Sequence, residues 1–300
     1  MKHLNTKLLS ITGVTLVFLL AGTWGLHKFQ KLRNSAAYLN RADQKHQEGD
    51  LGEARRLYRM YLANNPKDAE RYLTYALITK EWFDNLVKQR GMSGVGNFEY
   101  QQVANATEQA LLLNGTNIKL LEASAELNTV ANQGKLAIDR YEKIIGLLEE
   151  SNQEVPLDYR VRLAALYDAY STDQDAVNIL SDWLGFDPNQ GQFKEAAQPD
   201  SAFVDCYLIL ANHLMRLRPN GRDGITVIDR MVDQNPNDAL AYLRRAGFTQ
   251  NHAREDEDKA KVRNDLEKAL ELAPEDARVV LALARSLLQD RELERVRNLL

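Results

Sequence analysis

Apolar residues recur three and four positions apart along most of this chain, in blocks of helical length separated by short polar breaks. In the first block Tyr38 and Ala42 share a face, Gly49-Asp50 makes a turn, and Ala54, Leu57, Tyr58 and Tyr61 form a second face that ends at Pro66. Such spacing is that of amphipathic helices, and the short turn between the two blocks makes them an antiparallel pair. The punctuation returns as Asn65-Pro66-Lys67-Asp68, Asn235-Pro236-Asn237-Asp238 and Ala273-Pro274-Glu275-Asp276. No segment shows the strict alternation of a half-buried strand. The expected fold class is therefore all-α, and because one hairpin cannot bury its apolar face alone, successive hairpins must stack into a solenoid.

Aligned on the closing Pro, the chain divides into about seven units: 35–68, 69–117, 118–154, 155–190, 201–238, 239–276 and an incomplete 277–300. In the second, an insertion around Gly91, Gly94 and Gly96 delays the second helix, and Gly115 stands where Pro is expected. The third has Leu121 and Ala125, a turn at Gly134, then Ala137, Tyr141 and Ile144, with the spacing slipped by a residue or two. The fourth brings Leu163, Ala164, Tyr167, Ala176, Leu180 and Pro188. Tyr207, Leu210, Ala211, Leu214, Ile228 and Met231 mark the fifth, Tyr242, Ala246, Leu266, Ala269 and Leu270 the sixth, and Val280, Leu283, Ala284 and Leu287 the seventh. The polar stretch 189–200 is longer than most helix connections and is the expected bend between two halves. The set Gly49, Asp50, Ala54, Tyr58 and Pro66 resembles the tetratricopeptide repeat (TPR), and the resemblance extends over about 35–300. It implies a right-handed α-solenoid of helical hairpins and a role in binding other proteins. Val296, Leu299 and Leu300 would need a later helix to cover them, so the natural chain is expected to continue.

Residues 1–34 are of another kind. From Leu8 to Leu26 nineteen residues carry no charge, nearly enough at about 1.5 Å per residue to span a hydrocarbon core of about 30 Å. Lys2 and Lys7 precede the stretch, Lys28, Lys31 and Arg33 follow it, and Trp24 sits where an interfacial aromatic belongs. This predicts one uncleaved transmembrane helix with a short cytoplasmic tail and an extracytoplasmic repeat domain, on the periplasmic side if the cell is bacterial. A cleaved signal peptide, giving a soluble secreted binding protein, is the alternative; Ala21-Gly22-Thr23 is a poor cleavage site.

Thirty-eight basic against 42 acidic residues give a net charge of −4, so there is no basic field for nucleic acid and none is expected as a partner. The single cysteine, Cys206, reads as a small buried hydrophobe. The histidines His3, His27, His46, His213 and His252 are isolated and read as surface or helix-end residues. Gly91-Met92-Ser93-Gly94-Val95-Gly96 lacks the Lys and Ser/Thr of a phosphate loop, and the acidic run Glu255 to Asp258 lacks the spaced oxygens and Gly of a calcium loop. Asn105 and Asn114 stand in glycosylation sequons. No catalytic residue, cofactor site or metal site is expected.

The TPR resemblance implies a concave groove lined by the first helix of each hairpin, at two positions per unit. The first position holds Leu39, Leu73, Glu122, Val161, Leu208, Leu243 and Leu281; the second holds Asp43, Leu77, Glu126, Ala165, Asn212, Gly247 and Arg285. An aliphatic floor with sparse charge suits an apolar helix or an extended peptide, although the same leucines could instead seal neighbouring helices together. Leu39, Asp43 and Leu73 do not match the Lys, Asn and Arg with which some TPR proteins clamp a terminal carboxylate. The expectation is thus a membrane-anchored, non-catalytic scaffold for protein or peptide partners that assists complex assembly. The recognition arm of a larger enzyme, with its catalytic domain beyond residue 300, is the other reading.

Overall fold

The computed structural model describes residues 16, 19, 22, 23, 30, 33–194, 204–252 and 256–299. They are almost wholly helical, in two compact units, Met1–Ala131 and Asn132–Leu300. The predicted span 8–26 lies outside the described residues except at Leu16, Leu19, Gly22 and Thr23; among the described residues no helix is long and apolar enough to cross a membrane.

The first unit contains α1 (residues 33–47), α2 (Leu51–Leu62), α3 (Ala69–Arg90), α4 (Asn97–Leu113) and α5 (Ile118–Val130). One core joins Ala42, Ala54, Leu57, Tyr58 and Ile78, and a second joins Phe83, Val103 and Leu127. The delay expected in the second hairpin is mostly helix: α3 runs for 22 residues before a single 3₁₀ turn, Met92–Gly94, and Gly91 at φ +70° makes the break. Helix extension keeps the inserted backbone hydrogen-bonded, which a loop would not.

The second unit contains α6 (Gly134–Glu150), α7 (Leu157–Tyr170), α8 (Asp173–Leu184), α9 (Val204–Leu217), α10 (Asp223–Gln234), α11 (Ala239–His252), α12 (Asp256–Leu272), α13 (Ala277–Gln289) and α14 (Leu293–Leu299). Its larger core runs from Ala164 through Tyr207 and Leu210 to Phe248, and a smaller one gathers Ala246, Leu266, Leu283 and Val296. Two short strands depart from the all-helical expectation. Phe186 and Asp187 (β1) pair antiparallel with Gln192 and Phe193 (β2), bringing the rings of Phe186 and Phe193 to 5.1 Å in an edge-to-face contact. Residues 189–194 of the expected bend belong to this small hairpin; 195–200 lie outside the described residues.

The recurring Asn-Pro-x-Asp has a local cause. Its Asp caps the helix to come: Asp68 Oδ1 accepts from the Arg71 amide at 3.1 Å, Asp238 Oδ1 from Leu240 at 2.8 Å, and Asp276 Oδ1 from Arg278 at 2.9 Å. Its Asn closes the helix just ended, for Asn65 donates to the Tyr61 carbonyl at 3.0 Å and buried Asn235 to Met231 at 2.8 Å. Asn114, before Gly115, closes α4 by donating to Ala110 O and also donates to Ala69 O of α3 at 2.8 Å, while Asn117 Oδ1 caps α5 by accepting from the Leu120 amide. At Pro66 and Pro236 one Asn and one Asp thus serve backbone groups on both sides of the Pro, whereas at Pro274, preceded by Ala273, only the Asp does.

Some hairpin turns use a left-handed residue. At Gly49 (φ +76°) the amide of Asp50 reaches back to Lys45 O at 2.9 Å, and at Arg291 (φ +63°) that of Glu292 reaches Leu287 O at 2.9 Å. For a residue with a Cβ this conformation costs about 1–2 kcal/mol, while glycine loses more entropy on folding by about 0.4–1 kcal/mol. Arg291→Gly is therefore expected to raise stability by up to about 1 kcal/mol, read as a higher midpoint in urea. A lowered midpoint would mean that the Arg291 side chain contributes more than its backbone strain.

Candidate interaction surface

Within the first unit, α1 and α3 place the expected groove residues Leu39, Asp43, Leu73 and Leu77, all partly buried. Leu39 leans on the core around Ala42 and Tyr58. Asp43 accepts a short hydrogen bond from the Tyr58 hydroxyl, and its Oδ1 lies 3.6 Å from the Arg71 guanidinium on α3. Burial, and then that bond to Asp43, push the Tyr58 phenol far above its usual value. Glu126 on α5 is similarly engaged, by Lys80 Nζ at 2.9 Å, which also holds Asp84 at 2.8 Å. Burial works against the Lys80 charge, but its hydrogen bonds to the two carboxylates leave its pKa raised. Asp43 and Glu126 are thus each engaged by a cation of α3, whereas Glu122, partly buried on α5, forms no ion pair among the described residues.

In the second unit the corresponding face belongs to α7, α9, α11 and α13. Val161 and Leu208 are partly buried against the larger core and Leu243 against the smaller one, so they serve packing. Asn212 is partly buried on α9. Leu281 differs, being 51% exposed, and Arg285, one turn on, is exposed and forms no ion pair among the described residues.

Three polar arrangements have no counterpart in the sequence pattern. The isolated-surface expectation fails for His213, which is buried on α9 between two carboxylates: Nδ1 is 2.7 Å from Asp173 Oδ1 and Nε2 is 3.2 Å from Asp168 Oδ1. Arg216 Nε also donates to Asp173 at 2.7 Å, and hydrogen bonds from Arg216 and His213 lower the Asp173 pKa. These contacts tie α9 to α7 and α8. On α11, Arg245 forms a fork with Asp265 of α12 at 2.6 and 2.8 Å and reaches Asp229 of α10 at 3.2 Å; Lys261 meets Asp229 at 2.8 Å. Burial opposes the Arg245 charge, yet the carboxylates outweigh it and raise its pKa. The third arrangement is a cluster of arginines on α2, four residues apart at Arg55 and Arg59 with no acid three or four places beyond them on their own helix; that gap was the available signal.

Cys206 is buried, and burial pushes its thiol up to about 12, as expected of a packing residue. Asn105 is exposed on α4, whereas the Asn114 amide is committed to its two carbonyls. Among the described residues no group of three or more His, Cys, Asp and Glu side chains is placed to hold a metal ion.

No family model and no curated protein matches the chain. Among solved structures it is similar to the C-terminal part of a TPR repeat-containing protein from Cytophaga hutchinsonii, at 14% identity and TM-score 0.53, over 87% of this chain and 92% of that one. It is also similar to a tetratricopeptide repeat protein from Parabacteroides merdae, at 18% identity and TM-score 0.48, over 88% and 90% of the two chains. YrrB, a TPR protein with an unusual peptide-binding site, matches at 15% identity and TM-score 0.43, over 75% of this chain and 96% of its own. The first likeness, with the hairpins described above, makes the fold a TPR-like helical repeat.

Proposed function

We propose that this chain is a non-catalytic scaffold that binds protein or peptide segments along the first-helix faces of its repeats and assists assembly of a complex. Residues 8–26 hold it in a membrane, with the repeats on the extracytoplasmic side. The observation that carries the binding role is the aliphatic lining of those faces, in which Asp43 and Glu126 are already paired with Arg71 and Lys80. A partner helix or extended segment then meets mostly apolar surface, with Glu122 in the first unit the lining carboxylate that forms no ion pair among the described residues. The uncharged stretch with its lysine flanks supports the anchor.

Leu281 gives the test, because its exposure separates binding from folding. Leu281→Asp is expected to keep stability within about 0.5 kcal/mol of the parent while weakening partner capture by at least tenfold. A photo-crosslinker at Leu281 in cells should form protein adducts that one at Leu136, exposed on the second helix α6, does not. Equal adducts at both positions, or none at Leu281, would remove the binding face. Separately, the chain lacking residues 1–33 should leave the membrane fraction; if it stays, residues 8–26 are not the anchor.

A further inference from the structure

Away from those faces, the first unit has a cleft of about 240 Å³ lined by Gly52, Arg55, Arg56, Arg59, Tyr75 and Gln102, from α2, α3 and α4. Three guanidinium groups meet there, and their charges are not treated alike. Arg56 is matched by Glu53, at 2.6 and 2.8 Å. Arg55 is stacked on Trp82, its central carbon 3.4 Å from the ring centroid, and its Nη1 donates at 2.8 Å to Gln102, a neutral amide. Its Nε is buried and has no hydrogen-bond partner. Arg59, one turn further along α2, is exposed and forms no ion pair among the described residues. Glu99 exerts a field on Arg55 but makes no ion pair with it among the described residues.

Two other part-buried cations are compensated, although Arg230, over the Phe193 ring, shares a buried Nε without a partner. Part-buried Lys80 has Asp84 and Glu126, and part-buried Arg245 has Asp229 and Asp265. Two like charges four apart on a helix repel, and a part-buried guanidinium with an unused donor is disfavoured. A pair left in that state in a cleft, one member already fixed by an aromatic ring, is arranged for an anion that arrives from outside. Burial, foremost, and the neighbouring Arg59 lower the Arg55 pKa, in keeping with a positive site that lacks its counter-charge.

We propose that this cleft is an oxyanion site, taking a carboxylate or phosphate group between Arg55 and Arg59. The guanidinium fork presents parallel N–H donors that match two oxygens of one such group, and the Trp82 stack orders Arg55 beforehand, so little side-chain freedom is lost on binding. This site is independent of the first-helix faces and stands whether or not they bind a partner.

Arg59 is the residue to change, since it is exposed and Arg55 carries packing against Trp82. The full chain, kept in detergent, would be titrated with sodium phosphate and with sodium succinate against sodium chloride at matched ionic strength, following the unfolding midpoint. One or both oxyanions should raise the midpoint saturably beyond chloride, with half-saturation at least tenfold higher in Arg59→Gln. A response to phosphate alone assigns a phosphate ligand; a response to succinate assigns a carboxylate. In chloride, Arg59→Gln should melt at or above the parent because it relieves repulsion, whereas loss of a merely structural arginine would lower the midpoint. The proposal is overturned if neither oxyanion exceeds chloride, if parent and variant respond alike, or if the variant melts lower in chloride.

Discussion

Asp265→Ala should destabilise the second unit by about 3–5 kcal/mol, the largest effect expected of any single substitution here. The Asp265 side chain is 4% exposed and that of Arg245 16%, so removing the carboxylate leaves a guanidinium with its best partner gone and little water to replace it. Asp229 remains at 3.2 Å but already serves Lys261, which limits the rescue it offers. Replacing both partners with hydrocarbon, Arg245→Met with Asp265→Leu, should cost much less than the single change, because no charge is then stranded. Urea denaturation of the two single variants and the double variant gives the coupling directly. If Asp265→Ala alone shifts the midpoint by less than about 1 kcal/mol, the pair is a solvated surface contact and its burial here is misplaced.

Gly224→Leu is expected to cost on the order of 3 kcal/mol, at the upper end of overpacking effects. A Cβ built at Gly224 on α10 falls 2.9 Å from the Ala211 carbonyl oxygen and 2.8 Å from Met215 Cγ on α9. The first of these is backbone and cannot swing aside. Even Gly224→Ala should lose stability, although alanine in a helix interior is favoured over glycine by about 1 kcal/mol. Gly247 supplies the control: nothing lies within 4 Å of its Cβ position, so Gly247→Ala on α11 should gain that propensity term. Opposite signs at these two glycines in thermal unfolding would establish the close approach of α9 and α10; equal signs would refute it.

Gly224 also shows how far the sequence pattern reaches. Twelve residues before Pro66, Gly115, Pro188, Pro236 and Pro274 stand Ala54, Val103, Ala176, Gly224 and Val262, and all five are buried. The proline frame therefore locates where a second helix packs most closely, and it does so because burial repeats with the hairpin. Hairpin turns and caps were readable for the same reason, being fixed by residues a few places apart. The polar contacts were not. Arg245 and Asp265 are twenty residues apart, His213 and Asp173 forty, Arg55 and Gln102 forty-seven, and each pair meets only because particular helices stack. Periodicity carries no information about such pairs. The lining residues fall between these cases: their helix and face were predictable, but whether a leucine seals or stays open, as Leu208 and Leu281 respectively do, depends on how its neighbours tilt.

The ion pairs between successive hairpins bear on how the chain avoids misfolding. An array of similar hairpins is at risk of a skipped neighbour, in which one unit docks on the next but one, since the apolar surfaces look alike. Here several junctions differ in polarity, although the acid-first order recurs, as at Asp173 with Arg216 and Asp205 with Arg244. At Asp43 with Arg71 the acid comes first; at Lys80 with Glu126 the cation does; Arg263 of α12 faces Asp290 and Glu292 beyond it; and Arg245 meets Asp229 of the hairpin before while also pairing with Asp265 of its own. A hairpin docked out of turn would set like charges together or leave one buried without a partner. The order of the units, fixed by the covalent chain, is thus reinforced at these junctions by charges that favour the adjacent hairpin.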